Sequence, residues 1–233
     1  MTIAGRQFRS YFNGPAAYIV ICLVLMFVGG FFWFYFFLEG RAVAVNMFLW
    51  LGRSLLFAAP ALTMGLLAEE RRSGTLELLV SLPVRESEVI IGKFLGAFGL
   101  YLVLVALTFV HPIAVASLGD LDWGPVFSGY FGIILLGAAM IALGLMASAW
   151  TNDQLIAFFV AFAIMLVLYL VPIAFRILMS GTLATFVDFI GLEEHVRTMA
   201  RGLIELRAVI YLLSLTIIGL MAAFRALESR RWS

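Results

Sequence analysis

Nine of the chain's 15 basic and 14 acidic residues fall between positions 69 and 93: Glu69, Glu70, Arg71, Arg72, Glu77, Arg85, Glu86, Glu88 and Lys93. Adjacent carboxylates such as Glu69 and Glu70 are the type that general acid–base work uses, and Gly92-Lys93 is the type of pair that closes a phosphate loop. The phosphate loop is incomplete. Its G-x-x-x-x-G-K-[ST] pattern needs glycine at 87 and a hydroxyl at 94, where this chain has Ser87 and Phe94. Cys22 is the single cysteine, and His111 and His195 are the two histidines. With no second thiol and no clustered ligands, neither a disulfide framework nor a metal motif is legible.

One further charge matters because of its isolation. Arg53 divides the apolar stretch 42–68 into runs of 11 and 15 residues. A cation at that depth costs about 2.5–3.5 kcal/mol on insertion scales, so it must snorkel or be paired. Asp188, Glu193 and Glu194 are the candidate counter-ions, with contact to cargo as the alternative. Three prolines, Pro60, Pro112 and Pro172, fall inside apolar stretches and predict kinks, Pro60 as a hinge just above the charged loop.

The elements that position these groups follow from charge scarcity. Of 233 residues, 64% are hydrophobic and 12% charged, and the mean hydropathy is +1.10; soluble domains carry about 25% charged residues. A water-soluble fold is excluded, and no basic patch of the kind nucleic acid needs is present. Uncharged runs of 29, 26, 30, 22 and 17 residues lie between Arg9 and Glu39, Lys93 and Asp120, Asp122 and Asp153, Asp153 and Arg176, and Arg207 and Arg225. A membrane helix needs about 20 apolar residues. With the stretch around Arg53 this predicts an all-α membrane protein of six spans, near 16–38, 43–67, 94–118, 128–150, 155–175 and 208–227, within one domain over 1–233.

Residues 1–14 read as an interfacial helix, with Phe8, Tyr11 and Phe12 on one face and Arg6 and Arg9 on the other. The apolar run after Arg9 is too long for a signal-peptide core, so the first span is expected to stay. Nine basic residues flank the spans on the side of the termini against five opposite, and the positive-inside rule then puts both termini in the cytoplasm. That makes 68–93 the long cytoplasmic loop and 176–207 the long outer segment. In the loop, Glu69 to Arg72 prolong the second span, Gly74 breaks it, Thr75 caps a short helix over 76–81 and Pro83 opens the next. Leu76, Leu78, Leu79 and Val80 give the short helix an apolar surface that a partner can push. In the outer segment, Phe189, Leu192, Val196, Met199, Leu203 and Leu206 recur at helical spacing, predicting one amphipathic helix with Glu193/Arg197 and Arg201/Glu205 as i,i+4 pairs. Gly132, Gly137, Ala138, Ala142 and Gly144 in the fourth span predict close helix packing and a possible dimer face.

Glu69-Glu70, Gly74-Thr75, Glu77, Pro83 and Gly92-Lys93-Phe94 resemble the coupling-helix region of ABC type-2 permeases, especially the branch associated with gliding motility. Tyr11-Phe12, Pro15, Tyr18, Glu194-His195, Arg201-Gly202, Tyr211-Leu212-Leu213-Ser214 and Arg230-Arg231-Trp232 extend the similarity nearly end to end. Val196, Met199 and Ala208 depart from it: the family tends to carry aromatic residues at the first two positions and an acidic one at the third. The resemblance implies a non-catalytic transmembrane subunit in a bacterial plasma membrane, paired with a second copy or a related permease. It also implies two copies of a separate ABC ATPase that holds the ATP and Mg, with no cofactor in this chain. Glu69, Glu70, Gly74, Thr75, Leu76, Glu77, Leu78, Leu79 and Pro83 would then meet the ATPase. Glu194, His195, Arg201 and Gly202 would gate the path or dock an extracytoplasmic accessory protein, and membrane lipids would surround the spans.

Two alternatives compete. A stand-alone channel or secondary carrier would show paired ionisable groups near mid-membrane, where the spans carry little beyond Arg53. An intramembrane protease of the Glu-Glu-x-x-x-Arg type would need arginine where this chain has Gly74.

Overall fold

A computed structural model describes residues 3–39, 45–74, 86–119, 121–178 and 191–228. The described residues form helices and no strands. Six stretches are long and apolar enough to cross a membrane: Ala17–Leu38, Val45–Arg72, Glu86–Leu118, Trp123–Trp150, Gln154–Phe175 and Leu206–Glu228. All six predicted spans are present, and the second and third reach further toward the charged loop than their uncharged cores.

The bundle is organised around α7 (Trp123–Trp150), whose inner half is buried on nearly every side. Its small residues explain this. Lipid tails are as apolar as leucine, so membrane helices associate through close packing, and glycine and alanine allow it. Tyr101, from α5 (Glu86–Thr108), lies where a side chain at Gly137 would stand and donates to the Ile133 carbonyl at 2.7 Å. Thr63, at the end of α3 (Val45–Thr63), occupies the same kind of space beside Gly144. The backbone of α10 (Leu206–Glu228) meets α7 where Gly219 faces Ala142. The expected dimer face on this span is thus largely taken by the chain itself: Gly132, Gly137, Ala142 and Gly144 are buried.

α2 (Pro15–Glu39) and α8 (Gln154–Leu178) lie at the periphery and expose Met26, Phe37, Leu155 and Phe159, as lipid-facing helices do. α1 (Ile3–Asn13) has the predicted faces, with Arg6 and Arg9 outward. Its other side packs on protein: Ile3, Gln7 and Phe8 sit over Gly92, Gly96 and Gly99 of α5. A Cβ at Gly96 would lie 2.6 Å from that of Gln7.

Two of the three predicted proline kinks coincide with breaks; at the third, Pro172, α8 runs on without one. The second span breaks at Met64, between α3 and α4 (Gly65–Arg72). The third breaks at Phe109, before α6 (Val110–Leu118), where His111 packs beside Phe32 and Trp33. The amphipathic helix before the last span ends sooner than its periodicity suggested: α9 covers Leu192–Ala200. Gly202 then adopts a φ of +94°, a left-handed conformation that ends helices. Leu203 and Leu206 are consequently exposed, and Arg201 and Glu205 do not share a helix.

Candidate functional site

Two polar assemblies stand out in the bundle, one at each end. The first surrounds the break in the second span, on the side of the termini. α3 carries Pro60, which lacks an amide hydrogen, and α4 begins at Gly65. In lipid every backbone polar group needs a protein partner, and three other elements supply them. Ser148 of α7 inserts its hydroxyl into the ladder: it accepts from the Leu67 and Ala68 amides at 3.0 and 3.1 Å and donates to the Met64 carbonyl at 3.0 Å. Tyr11 of α1 donates to the Leu62 carbonyl at 2.6 Å. Lys93 of α5 donates to the Leu66 carbonyl and forms an ion pair with Glu70 at 2.8 Å.

That ion pair joins the two stems of the charged loop. Lys93 is 2% exposed and Glu70 25%, so the contact is shielded from water and stronger than a surface pair. Arg71 reaches the Thr151 carbonyl and the Asn152 side chain at 3.4 and 3.5 Å, which ties the same stem to the connection between α7 and α8. Glu69 is exposed. Gly74 has a φ of +72°, closing α4 as its position predicted. Thr75, Leu76, Glu77, Leu78, Leu79 and Pro83 lie outside the described residues.

At the opposite end, Arg53 finds its counter-ion. Its Nη2 is 2.8 Å from Oε1 of Glu193, its Nε donates to the Tyr169 hydroxyl at 2.9 Å, and its guanidinium lies 4.7 Å over the Trp50 ring. Glu193 is one of the three expected partners; Asp188 is outside the described residues. Arg197 reaches the same Oε1 at 2.7 Å, and Tyr169 donates to Oε2. Burial pushes the Glu193 carboxyl up, but hydrogen bonds from Tyr169, Arg53 and Arg197 and the Arg53 charge outweigh it and hold the group below its ordinary value. Of the other residues named around α9, Glu194 is 3.8 Å from Arg197 Nε. His195 is buried against Tyr211, with ring centroids 4.7 Å apart. Arg201 and Gly202 form the exposed turn before α10.

The sequence pointed to Glu70, to Arg53 and to Glu193 among its candidate partners, but not to the hydrogen bonds that surround them. Ser148, Tyr11, Lys93 and Tyr169 each carry one polar group in or beside an apolar run, which was the available signal. Among the described residues no cluster of His, Cys, Asp and Glu has the makings of a metal site.

Six helices long and apolar enough to cross a membrane define a multi-pass membrane protein. Residues 42–227 match the family model described as ABC-2 family transporter protein, and the chain belongs to that family. It is therefore a permease component of an ABC transporter, a class of membrane transport subunit that is generally non-catalytic and works with an ABC ATPase. No curated protein matches the chain.

Proposed function

We propose that this permease transmits the ATP-driven movement of a separate ATPase into the membrane through the loop between its second and third spans. The observation that carries the reading is the break at Met64. Residues on α1, α5 and α7 all bond to the backbone of one short piece of the second span, directly above the loop stems. A push on α4 would therefore act on three helices at once, and the Lys93–Glu70 pair keeps the stems together while it does so.

In this reading Glu69, Glu70 and Gly74 through Pro83 form the ATPase contact. Two permeases, identical or related, meet two ATPases, which hold the ATP and Mg, and this chain needs no cofactor. Both termini and the loop are cytoplasmic in a bacterial plasma membrane, and the exposed turn at Arg201 and Gly202 is the place for an extracytoplasmic accessory protein. The output is substrate export or mechanical work on that protein; resemblance to the gliding-motility branch favours the second. A stand-alone carrier is disfavoured because the ion pairs sit at the ends of the bundle and not at its middle.

The test is purification from its native membrane in mild detergent. An ABC ATPase should accompany the wild-type chain, and Thr75→Pro or Glu77→Lys should release it or uncouple its hydrolysis. Undiminished assembly and coupling in both variants would overturn the proposal.

A further inference from the structure

Between α9 and α10 the chain makes a non-helical turn whose apolar side chains are uncovered. Leu203 is 61% exposed, Ile204 58%, and Leu206 at the start of α10 72%; Arg201, Glu205 and Arg207 beside them are exposed as well. The level of the turn in the bundle is fixed by its neighbours. Ser128 donates to the Met199 carbonyl at 2.7 Å, and a Cβ at Gly202 would lie 3.5 Å from Pro125. Both partners belong to the first two turns of α7, which starts at Trp123. Trp123 is itself 41% exposed, and tryptophan is enriched where a span meets the headgroups. The turn therefore lies level with the bilayer boundary on the side where α7 and α10 both begin, opposite the carboxyl terminus.

Two opposing effects bound how deep it can sit. Moving three exposed aliphatic side chains out of water is favourable, and they adjoin a face that already meets lipid. Leu206, Ile210, Leu213 and Ile217 form one exposed stripe of the last span, and Leu203 and Ile204 immediately precede it. The backbone sets the opposite limit. Among the described residues no group accepts from the Ile204 and Glu205 amides, and hydrocarbon offers such amides no partner. Apolar side chains that leave water on a backbone that must keep it define one place, the layer between headgroups and acyl chains.

We infer that this turn is a membrane anchor: Leu203, Ile204 and Leu206 seat in that layer of the leaflet opposite the carboxyl terminus, while the backbone of 203–205 and the charges of Arg201, Glu205 and Arg207 stay hydrated. Long cationic side chains reach water from that depth. The signs are mixed, so the apolar side chains carry the contact. What the anchor holds is α9. The first turn of that helix is fixed in the bundle by Glu193 on Arg53 and Tyr169, and lipid holds the other end. Arg201 stays open to the accessory protein proposed above, and the anchor depends neither on that partner nor on coupling to an ATPase.

The test is collision spectroscopy of spin labels on the full chain in phosphatidylcholine vesicles, in a Cys22→Ala background. Oxygen concentrates in lipid and a neutral nickel chelate in water. Labels at Leu203→Cys and Ile204→Cys replace exposed side chains, so no packed contact is lost. Phe159→Cys, on the exposed face of α8, is the lipid reference, and Ser73→Cys the water reference; together they report whether the bundle has folded and inserted. Both turn labels should meet the chelate several-fold less often than Ser73→Cys, and oxygen more often. Chelate contact equal to that at Ser73→Cys overturns the proposal and leaves the turn as a surface for a water-borne protein. Low contact with both reagents overturns it too, because protein, either a second copy or residues 179–190, would then cover the turn. Replacing Leu203 and Ile204 together by asparagine should speed hydrogen exchange of the Arg201 and Gly202 amides, which close α9. Unchanged exchange in that variant would overturn the anchoring of α9.

Discussion

Replacing Ser148 with alanine isolates the feature on which the coupling proposal rests. The hydroxyl is fully buried and serves two amides and one carbonyl of the second span. If the break at Met64 persists in Ser148→Ala, the three hydrogen bonds that the hydroxyl makes to the second span are lost. At about 0.5–1.5 kcal/mol for each, the loss is about 3 kcal/mol. The alternative is that α3 and α4 fuse into one continuous helix, with the ordinary bond from Leu67 to Thr63. Stability then falls little, but α4 swings and carries the loop stem with it. The two outcomes separate cleanly. Unfolding titrations in mixed micelles give the first, and pulsed electron resonance between spin labels at Phe57 and Arg72 gives the second. Adding Tyr11→Phe should be non-additive, because both side chains serve the same break. A Ser148→Ala protein with wild-type stability and an unchanged label distance would refute the argument that this hydroxyl holds the hinge.

Gly96→Leu should lift α1 from α5, because even a Cβ there meets Gln7 at 2.6 Å; faster tryptic cleavage at Arg6 and Arg9 is the readout. Lys93→Met should destabilise more than Lys93→Met combined with Glu70→Gln, since the single change strands a shielded carboxylate; denaturation midpoints decide. The Glu193 carboxyl lies below its ordinary value when folded, so its contribution is complete above the ordinary carboxylate range and is lost as pH falls through the lowered folded value. Acid titration of stability should therefore be flatter in Glu193→Gln than in wild type.

The spans were legible because a bilayer imposes one length on every apolar run, and charge scarcity made each run easy to delimit. Gly74 was legible as a stop because its effect is local. Glu193 could be named among three because Arg53 had few acids within reach. The break at Met64 was legible only in part: Pro60 hinted at it, but the group that fixes it is Ser148, 84 residues away from the carbonyl it serves. α9 was drawn too long for the opposite reason: apolar spacing continued through Leu203 and Leu206, while the left-handed turn at Gly202 ended the helix.

The docking of α1 on Gly92, Gly96 and Gly99 imposes an order on biogenesis. α1 leaves the ribosome before the third span, on which it has its seat, is made. At about 5–20 residues per second, α1 waits roughly 5–20 s for that seat. During the wait, Ile3, Phe8 and Phe12 face water or headgroups, and the first span is inserted without its anchor. Closure of α1 onto the glycine face thus follows the synthesis of the third span.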